Sequence, residues 1–569
     1  MHHRLTRLAV AMAATYTQVV FAQTTPGRES APDPSVQTLS PVFVTGSPLG
    51  SSLFELADPV NVLQGRGLLL RQQPTLGATL EQEVGVSATN FGPNASRPII
   101  RGLGGFDIRL LNNGIGLLDA SSASPDHAVA VSPFAFDRIE VVRGPAAVMY
   151  GGGAIGGVVN TIDSRIALQP IERPFAGAAS YRYDSQNDLN AGGARIDGGN
   201  ERFALHADAY ATRNSDLKIP GDAWTPEVQA IRGEAGPSGT LPNSQGETQS
   251  YGLGATTFFD DRGYAGLSYS RFTTNYGTVA EPDVTIDLAQ QAWNFSGELR
   301  NAVPGFNAVR LKYGYNDYEH TEFEGSEAGT VFKSKGWNLR LEGLHAAIGP
   351  LEGAIGLEMA SVDFSALGDE AFVPSTTTKN IAAFLYEEMR RNAWKFSFGA
   401  RIENSKIDAQ EFTAAGLPAD SVSFTPWSAA VGTFYAFNKE WGLGANLQYT
   451  QRAPSSQELF ADGPHIATDQ FEVGSRALNK ATSTSIDLTL KQGGEFFRST
   501  LGAFYADFSN FIGLFPTGIY RNPADRSVAP GPEPYLDPVT GEEVTPIQQF
   551  NYGQVRARFY GFEAQVGFP

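Results

Sequence analysis

The chain of 569 residues contains no cysteine. Without thiols it can form neither a disulfide framework nor a cysteine-based zinc site, and thiol catalysis is excluded as well. Charged residues make up only 18% of the chain, and the formal net charge is −18. This negative balance argues against a nucleic-acid partner, because phosphates need a basic surface.

Long hydrophobic runs are missing too. No stretch reaches the roughly 18 apolar residues that a membrane-crossing helix needs. A short apolar run, Leu8 to Ala14, follows the basic segment Met1 to Arg7 and precedes Val20-Phe21-Ala22. This order predicts a secretory signal peptide over residues 1–22. An exported chain without helical spans is periplasmic, secreted or an outer-membrane barrel.

The common enzyme signatures are also absent. The sequence has no H-E-x-x-H, no G-K-[ST] after a glycine loop and no G-x-S-x-G. Gly151, Gly153 and Gly156 match G-x-G-x-x-G, but a strand-like stretch follows them where a dinucleotide site needs a helix. We therefore expect a protein that is not an enzyme and that has no cofactor.

The stretch from Arg97 to Asp163 has the pattern of a small sheet. Its β-branched runs are short, and each is ended by glycine, asparagine or proline. One run leads into a tight Gly144-Pro145 turn, a short apolar helical turn and a glycine cluster. The pattern predicts a compact α+β domain.

The segment before this domain is polar. Residues 23–41 have the composition of a linker. Residues 39–46, LSPVFVTG, form an isolated segment that can adopt a β-strand at the end of this linker. A segment of this kind can add as an edge strand to the sheet of a partner.

From Pro174 onward the chain alternates in polarity. In one segment Trp394, Phe398 and Ile402 alternate with Lys395 and other polar residues. Such strands have one apolar and one polar face, and periodicity alone does not separate a soluble sandwich from a membrane barrel. The signal peptide, the count of about 16 strands and their spread over some 400 positions favour the barrel.

The first domain closely resembles the plug of TonB-dependent outer-membrane receptors, because the elements IRG, DRIEVVRGP and YG…GAIGGVVN occur in order. The resemblance implies a plug over residues 42–165 inside the lumen of a transmembrane β-barrel over residues 172–569. It also implies localisation in the outer membrane of a Gram-negative bacterium, with membrane lipid and TonB, driven by its inner-membrane complex, as partners. The matching plug residues are Arg101, Gly102, Arg143, Gly144, Pro145, Tyr150, Gly151, Gly156 and Gly157. The TonB box implied by the same resemblance is Leu39, Ser40, Pro41, Val42, Phe43, Val44, Thr45 and Gly46.

Receptors of this kind have about 22 barrel strands. The present sequence stops at YGFEAQVGFP, which still alternates in polarity. We therefore expect the C-terminal part of the barrel to be missing from this sequence.

Histidine is scarce after the signal peptide. Three histidines lie in short loop-like motifs with acidic neighbours: His127 in SPDHA, His320 in YEHTEFE and His465 in FADGPHIAT. Zinc and similar metals bind imidazole and carboxylate together and can take ligands from different loops. His206 and His345 lie within alternating strands, where an ordinary hydrogen-bonding role is expected.

The three motifs also resemble motifs of the zinc-uptake branch of these receptors. That resemblance implies a metal site formed by Asp126, His127, Glu322 and His465, with Glu319 or His320 able to replace Glu322. The branch commonly has a His-rich loop after a motif like SYSRFTTNYG. Here Tyr276-Gly277 is followed by TVAEPDVTIDL, which contains no histidine. The ligand can therefore also be another divalent metal or a metal chelate.

The expected function is TonB-driven uptake of a metal ion, with zinc as the first expectation. The ion would be captured between plug and barrel loops and released when the plug is pulled. One alternative is a receptor for a metal chelate: a siderophore, haem or cobalamin. A passive porin or an adhesin-type barrel is the alternative from another class, and the plug pattern between Arg97 and Asp163 argues against it.

Overall fold

The computed structural model describes residues 48–50, 52–57, 59–144, 147–368, 371–494 and 496–568. The predicted signal peptide, the linker and the TonB box lie outside these residues, as does Pro145.

The N-terminal domain is α+β. Its strands are β1 (Val60–Gln64), β2 (Val86–Ala88), β3 (Pro98–Ile100), β4 (Ile108–Asn112), β5 (Ile115–Gly116), β6 (Arg138–Val142) and β7 (Gly157–Ile162). Its α-helices are α1 (Gly65–Arg71) and α2 (Leu76–Leu80). Single 3-10 turns cover Leu53–Glu55, Gly105–Asp107, Pro133–Ala135, Ala147–Tyr150 and Gly152–Ala154.

Five of these strands form one sheet in the order β1-β6-β7-β4-β5, and β2 pairs with β3. The pairing of β4 with β7 is parallel. The β-branched runs seen in the sequence supply the core, in which Ile100, Ile139 and Val159 are fully buried. Burial of these side chains supplies the hydrophobic driving force for the domain.

The second domain consists of strands with few helices. In chain order the strands are β8 (Phe175–Asp184), β9 (Leu189–Gly199), β10 (Phe203–Asn214), β11 (Leu217–Asp222), β12 (Ser238–Leu241), β13 (Gly246–Phe258), β14 (Gly263–Gly277), β15 (Val284–Arg300), β16 (Phe306–Glu324), β17 (Glu327–Ile348), β18 (Leu351–Leu367), β19 (Thr376–Arg391), β20 (Trp394–Ala409), β21 (Asp420–Phe424), β22 (Trp427–Ala436), β23 (Trp441–Arg452), β24 (Asp462–His465), β25 (Gln470–Val473), β26 (Ala481–Gly493), β27 (Arg498–Arg521), β28 (Tyr535–Leu536), β29 (Glu543–Val544) and β30 (Ile547–Gly567). The helices are α3 (Pro226–Arg232) and α4 (Ser456–Phe460), with 3-10 turns at Asp260–Arg262, Thr413–Ala415 and Ile466–Thr468.

Nineteen of these strands form one sheet with the strand order of a closed barrel. Three of the 19, β21, β24 and β25, have five residues or fewer. The other 16 form the wall and pair antiparallel with their neighbours from β8 to β30. In this closed order β30 and β8 are neighbours. The expected loss of C-terminal barrel strands stays a prediction.

The wall has the polarity of a membrane barrel. On β20, Trp394 and Ile402 are 43% and 55% exposed on the outer face, whereas Lys395 and Arg401 are buried in the lumen. In the lumen Lys395 pairs with Glu388 at 2.8 Å. Apolar side chains outside and paired charges inside are expected where lipid is the outer solvent. The predicted fold class, an all-β transmembrane barrel with an α+β plug, is confirmed.

No helix in the described ranges is long and apolar enough to cross a membrane.

Charged contacts hold the plug inside the barrel. Arg101 of the IRG element lies 2.6 Å from Asp487 on β26 and 2.8 Å from Glu563 on β30. Arg143 of the VRGP element is 3.8 Å from Glu563. The barrel residue Arg340 lies over the ring of Tyr150, with its guanidinium carbon 4.6 Å from the ring centroid. The plug residues that carried the resemblance therefore contact the barrel wall.

The glycines of the same elements permit close approach of backbone segments. A Cβ on Gly156 would lie 2.9 Å from Leu103 Cβ and 3.0 Å from the carbonyl oxygen of Asp107. Gly102, Gly144, Gly151 and Gly157 have positive φ angles, which glycine adopts without steric cost.

Candidate metal site

The plug loop between β5 and β6 presents His127. Tyr276 at the end of β14 fixes this loop, because its hydroxyl accepts from Ala128 N at 2.9 Å and donates to the carbonyl of Asp126 at 2.8 Å. His127 is 1% exposed. Its Nδ1 donates to the carbonyl of Ala120 at 3.1 Å, so Nε2 is the nitrogen available to a ligand.

The end of β16 supplies two further groups. Successive side chains of a strand point to opposite faces, so His320 and Glu322 face the lumen and Glu319 faces outward. Glu319 pairs there with Lys333 at 2.8 Å. His320 Nδ1 lies 2.7 Å from the hydroxyl of Tyr318. Within the described part of the chain, His320 Nε2 is buried and has no hydrogen-bond partner.

His127, His320 and Glu322 converge. Their possible ligand atoms all lie within 4.8 Å of one another. Glu322 Oε1 is 3.2 Å from His127 Nε2 and 3.6 Å from His320 Nε2. Tetrahedral zinc with bonds near 2.0–2.1 Å holds its ligand atoms roughly 3.3–3.5 Å apart. Small side-chain shifts would bring the three groups to this spacing, and we call them the inner cluster.

His465 lies beside the inner cluster, on the hairpin of β24 and β25. Its Nδ1 is 2.6 Å from Glu472 Oε1, and its Nε2 is 2.6 Å from Ser124 Oγ of the plug loop. The Ser124 hydroxyl in turn donates to the carboxylate of Asp126. Asp126 and His465 therefore belong to one hydrogen-bonded chain that runs past the inner cluster.

A very small cavity separates His465 from the inner cluster. It has a volume of about 10 Å³, and its walls include His127, Glu281, Glu322 and His465. This is about the space that one water-sized sphere occupies. Glu281 comes from the short loop after Gly277, so the loop that lacks histidine brings a carboxylate instead.

Aromatic rings surround the imidazoles. His320 stacks on Phe332 with ring centroids 4.6 Å apart, and His465 stacks on Phe372 at 4.7 Å. His127 meets Phe332 edge-on at 4.8 Å. An apolar shell of this kind excludes water and strengthens the interaction of the polar groups with a cation.

Electrostatics at the two loop histidines favour positive charge. Burial alone lowers the pKa of His127, but the carboxylates of Asp126 and Glu322 raise it above its ordinary value. Burial likewise lowers the pKa of His465, and its hydrogen bond with Glu472 raises it more. Both imidazoles lie in a field of nearby carboxylates that also attracts a metal cation.

The two remaining histidines lie elsewhere. His206 bridges Asp197 and Asp208 at 2.7 and 3.0 Å. His345 lies 2.9 Å from Glu387 and 2.8 Å from the carbonyl of Ala346.

Of the residues expected at the site, the structure brings His127 and Glu322 together with His320, which the sequence offered only as a substitute. It places His465 next to them, Asp126 two hydrogen bonds from His465 through Ser124, and Glu319 on the outer face. Sequence reasoning did not find Ser124 and Glu472, and no metal-ligand spacing marks either of them. The alternation of β16 was a usable signal for His320, because it puts residues 320 and 322 on one face.

Comparison with known proteins places this arrangement in a family. Residues 169–569 match the family model "TonB dependent receptor-like, beta-barrel", and residues 52–158 match "TonB-dependent Receptor Plug Domain". The chain belongs to the TonB-dependent receptor family. It is accordingly an outer-membrane β-barrel protein of a Gram-negative bacterium, and its family consists of receptors and transporters.

Similar proteins are receptors named for different ligands. A hemin receptor of Yersinia pestis is 32% identical over 218 residues, which are 38% of this chain and 29% of that protein. A rhizobactin receptor of Rhizobium meliloti is 21% identical over 568 residues, covering 86% of this chain and 75% of that protein.

Solved structures show the same fold. The copper transporter OprC aligns with a TM-score of 0.71 and 16% identity over 90% of this TonB-dependent receptor and 78% of OprC. The hemophore receptor HasR of Serratia marcescens aligns with a TM-score of 0.70 and 13% identity, covering 91% and 80% of the two chains.

Proposed function

We propose that this receptor takes up a bare divalent transition-metal ion, with zinc as the first candidate. The observation that carries the proposal is the inner cluster, in which His127, His320 and Glu322 place their possible ligand atoms within 4.8 Å of one another. The buried Nε2 of His320 supports it further, since it has no hydrogen-bond partner among the described residues and its distance to Glu322 is 3.6 Å. A buried polar atom without a partner is costly unless a ligand satisfies it.

The donor set favours a borderline cation. Two imidazoles and one carboxylate match zinc, whose fourth ligand is commonly water or another histidine. His465, on the other side of the small cavity, would supply that ligand once its Nε2 leaves the hydroxyl of Ser124. Soft cations such as Cu(I) prefer thiolate or thioether ligands, and the inner cluster contains neither. Cu²⁺ is the main competitor, and the fold is shared with the copper transporter OprC.

The division of ligands between two domains suggests how the ion is released. His127 belongs to the plug, whereas His320 and Glu322 belong to the barrel wall. TonB, acting on the predicted box at residues 39–46, would pull the plug and separate His127 from the other two ligands. Loss of one ligand lowers the affinity, and this difference between the two states drives release.

A chelate receptor is the second candidate, favoured by the relatives named for hemin and rhizobactin. The inner cavity, about 10 Å³, is too small for a siderophore or haem, so such a ligand would have to bind outside the inner cluster.

The test is metal titration of the receptor in detergent with zinc, copper, nickel, manganese and ferric chelates. The wild type is expected to bind zinc, and His320→Ala to lose most of that affinity. Glu319→Gln is the matched control, since Glu319 is the adjacent residue on the outer face, and it should leave binding unchanged. Absence of bare-metal binding by the wild type, together with binding of a ferric chelate, would replace the metal-ion proposal with the chelate proposal.

A further inference from the structure

A second cavity lies on the other side of His465. Its volume is about 350 Å³, and it is more open than the small inner one. His465 is a wall residue of both cavities, together with Glu472 and Gln457 on the larger side. We call the larger space the outer cavity. The two nitrogens of His465 have different neighbours: Nδ1 meets Glu472, and Nε2 meets Ser124 of the plug.

The polar groups around Glu472 are highly organised. Its Oε1 lies 2.6 Å from His465, and its Oε2 accepts from Gln457 Nε2 at 2.9 Å and from the hydroxyl of Tyr552 at 2.8 Å. Gln457 Nε2 also reaches the carbonyl of Ala123 at 3.1 Å. These donors keep the carboxylate ionised: burial raises the pKa of Glu472, and the bonds from His465, Gln457 and Tyr552 lower it below its usual range.

One acceptor in this network is unsatisfied. Gln457 is 5% exposed, and its Oε1 has no hydrogen-bond partner among the residues that the structure describes. The amide cannot be turned round to repair this, because Oε1 would then face the carbonyl of Ala123 and the carboxylate of Glu472, which lie 3.1 and 2.9 Å from Nε2. A buried amide oxygen of this kind is a group that a cation would satisfy.

Glu472 differs from the other two carboxylates of the outer cavity in its partner. Asp107 and Glu458 both pair with Arg452 at 2.8 Å. Arg97 is a cationic wall residue, and it bonds the carbonyl of Ser121. Among the described residues, the carboxylate of Glu472 pairs with His465 and with no guanidinium, so it is the carboxylate of this wall that a cation would bind.

We propose that His465, Glu472 and Gln457 Oε1 form an outer binding position for the same divalent ion, which the ion occupies before it reaches the inner cluster. This inference rests on the proposed function, since it names the route to that site. The ion first meets the carboxylate of Glu472 in the outer cavity and replaces the proton on Nδ1 of His465, which is released to solvent through the same opening. Rotation of the imidazole then breaks its bond with Ser124 and carries the ion toward His127, His320 and Glu322.

The test counts bound zinc ions. Full-length receptor in detergent is titrated with Zn²⁺ in competition with a chelating indicator, and the wild type is expected to bind one ion tightly and a second at least tenfold more weakly. Glu472→Gln keeps the size of the side chain and one acceptor oxygen but removes its charge. It should abolish the weaker binding and slow zinc association with the inner cluster, while the tight affinity, which Glu472 influences only through His465, falls by no more than about 100-fold.

Two further variants separate the outer position from the inner cluster and from misfolding. His320→Ala should remove the tight ion and keep the weaker one. Gln457→Met removes the amide oxygen without changing the charge, and it should weaken the outer ion at least tenfold if Glu472→Gln proves unstable. A single zinc equivalent in the wild type, or unchanged second binding and association rate in both outer variants, would overturn the outer position. Neither result affects the inner cluster, which is tested separately by the loss of tight zinc binding in His320→Ala.

Discussion

Asp126→Asn tests whether Asp126 binds the metal directly or only supports the residues that do. The resemblance to zinc-uptake receptors put Asp126 among the ligands. In the structure its buried carboxylate accepts the hydroxyl hydrogen of Ser124, which lies 2.6 Å from His465 Nε2. Asp126 is not part of the inner cluster and acts on it through Ser124 and His465. Loss of such an outer-shell partner typically weakens metal binding about 10–100-fold, or about 1.4–2.8 kcal/mol.

The assay is competitive zinc titration of wild type, Asp126→Asn, His320→Ala and Ser124→Ala in one detergent buffer. His320→Ala should lose more than the roughly 100-fold limit for an outer-shell residue. Asp126→Asn and Ser124→Ala should not be additive in the double variant, because both interrupt the same chain. Equal losses in Asp126→Asn and His320→Ala, with unchanged melting temperatures, would refute the reasoning and make Asp126 a ligand.

Two predictions concern the plug. Arg101→Met leaves Asp487 and Glu563, whose side chains are 7% and 11% exposed, without the guanidinium between them. Removing one partner of a buried ion pair costs about 3–5 kcal/mol, so the midpoint of denaturant unfolding should fall, and an unchanged midpoint would contradict this. Gly156→Ala brings a Cβ to 2.9 Å from a leucine Cβ and should destabilise the plug by about 1–3 kcal/mol. Gly153→Ala, whose Cβ meets nothing closer than 3.7 Å, is the control and should melt like the wild type.

The architecture could be predicted from the sequence because its signals are local. Alternation from Trp394 to Ile402 gives a strand with two faces, and the order of the glycine and arginine elements marks the plug. Local alternation does not predict whether the apolar face points to the outside or to the lumen. The structure shows this, because Lys395 and Arg401 lie in the lumen beside partners from other strands.

The site could be predicted only in part, since its groups are far apart in the chain. His127 and Glu322 are separated by 195 residues, and nothing in their spacing predicts contact. Strand alternation indicated that residues 320 and 322 share a face, yet the resemblance gave priority to Asp126 over His320. The position of Glu472 depends on how the hairpin of β24 and β25 folds over the plug loop, which no local pattern encodes.

The most direct test of the metal-ion account is anomalous X-ray diffraction at the zinc edge from crystals of the zinc-loaded receptor. The account predicts a strong anomalous peak between His127 Nε2, His320 Nε2 and Glu322, with bonds of about 2.0–2.2 Å. A tightly bound zinc ion located elsewhere, with these three side chains unliganded, would contradict it.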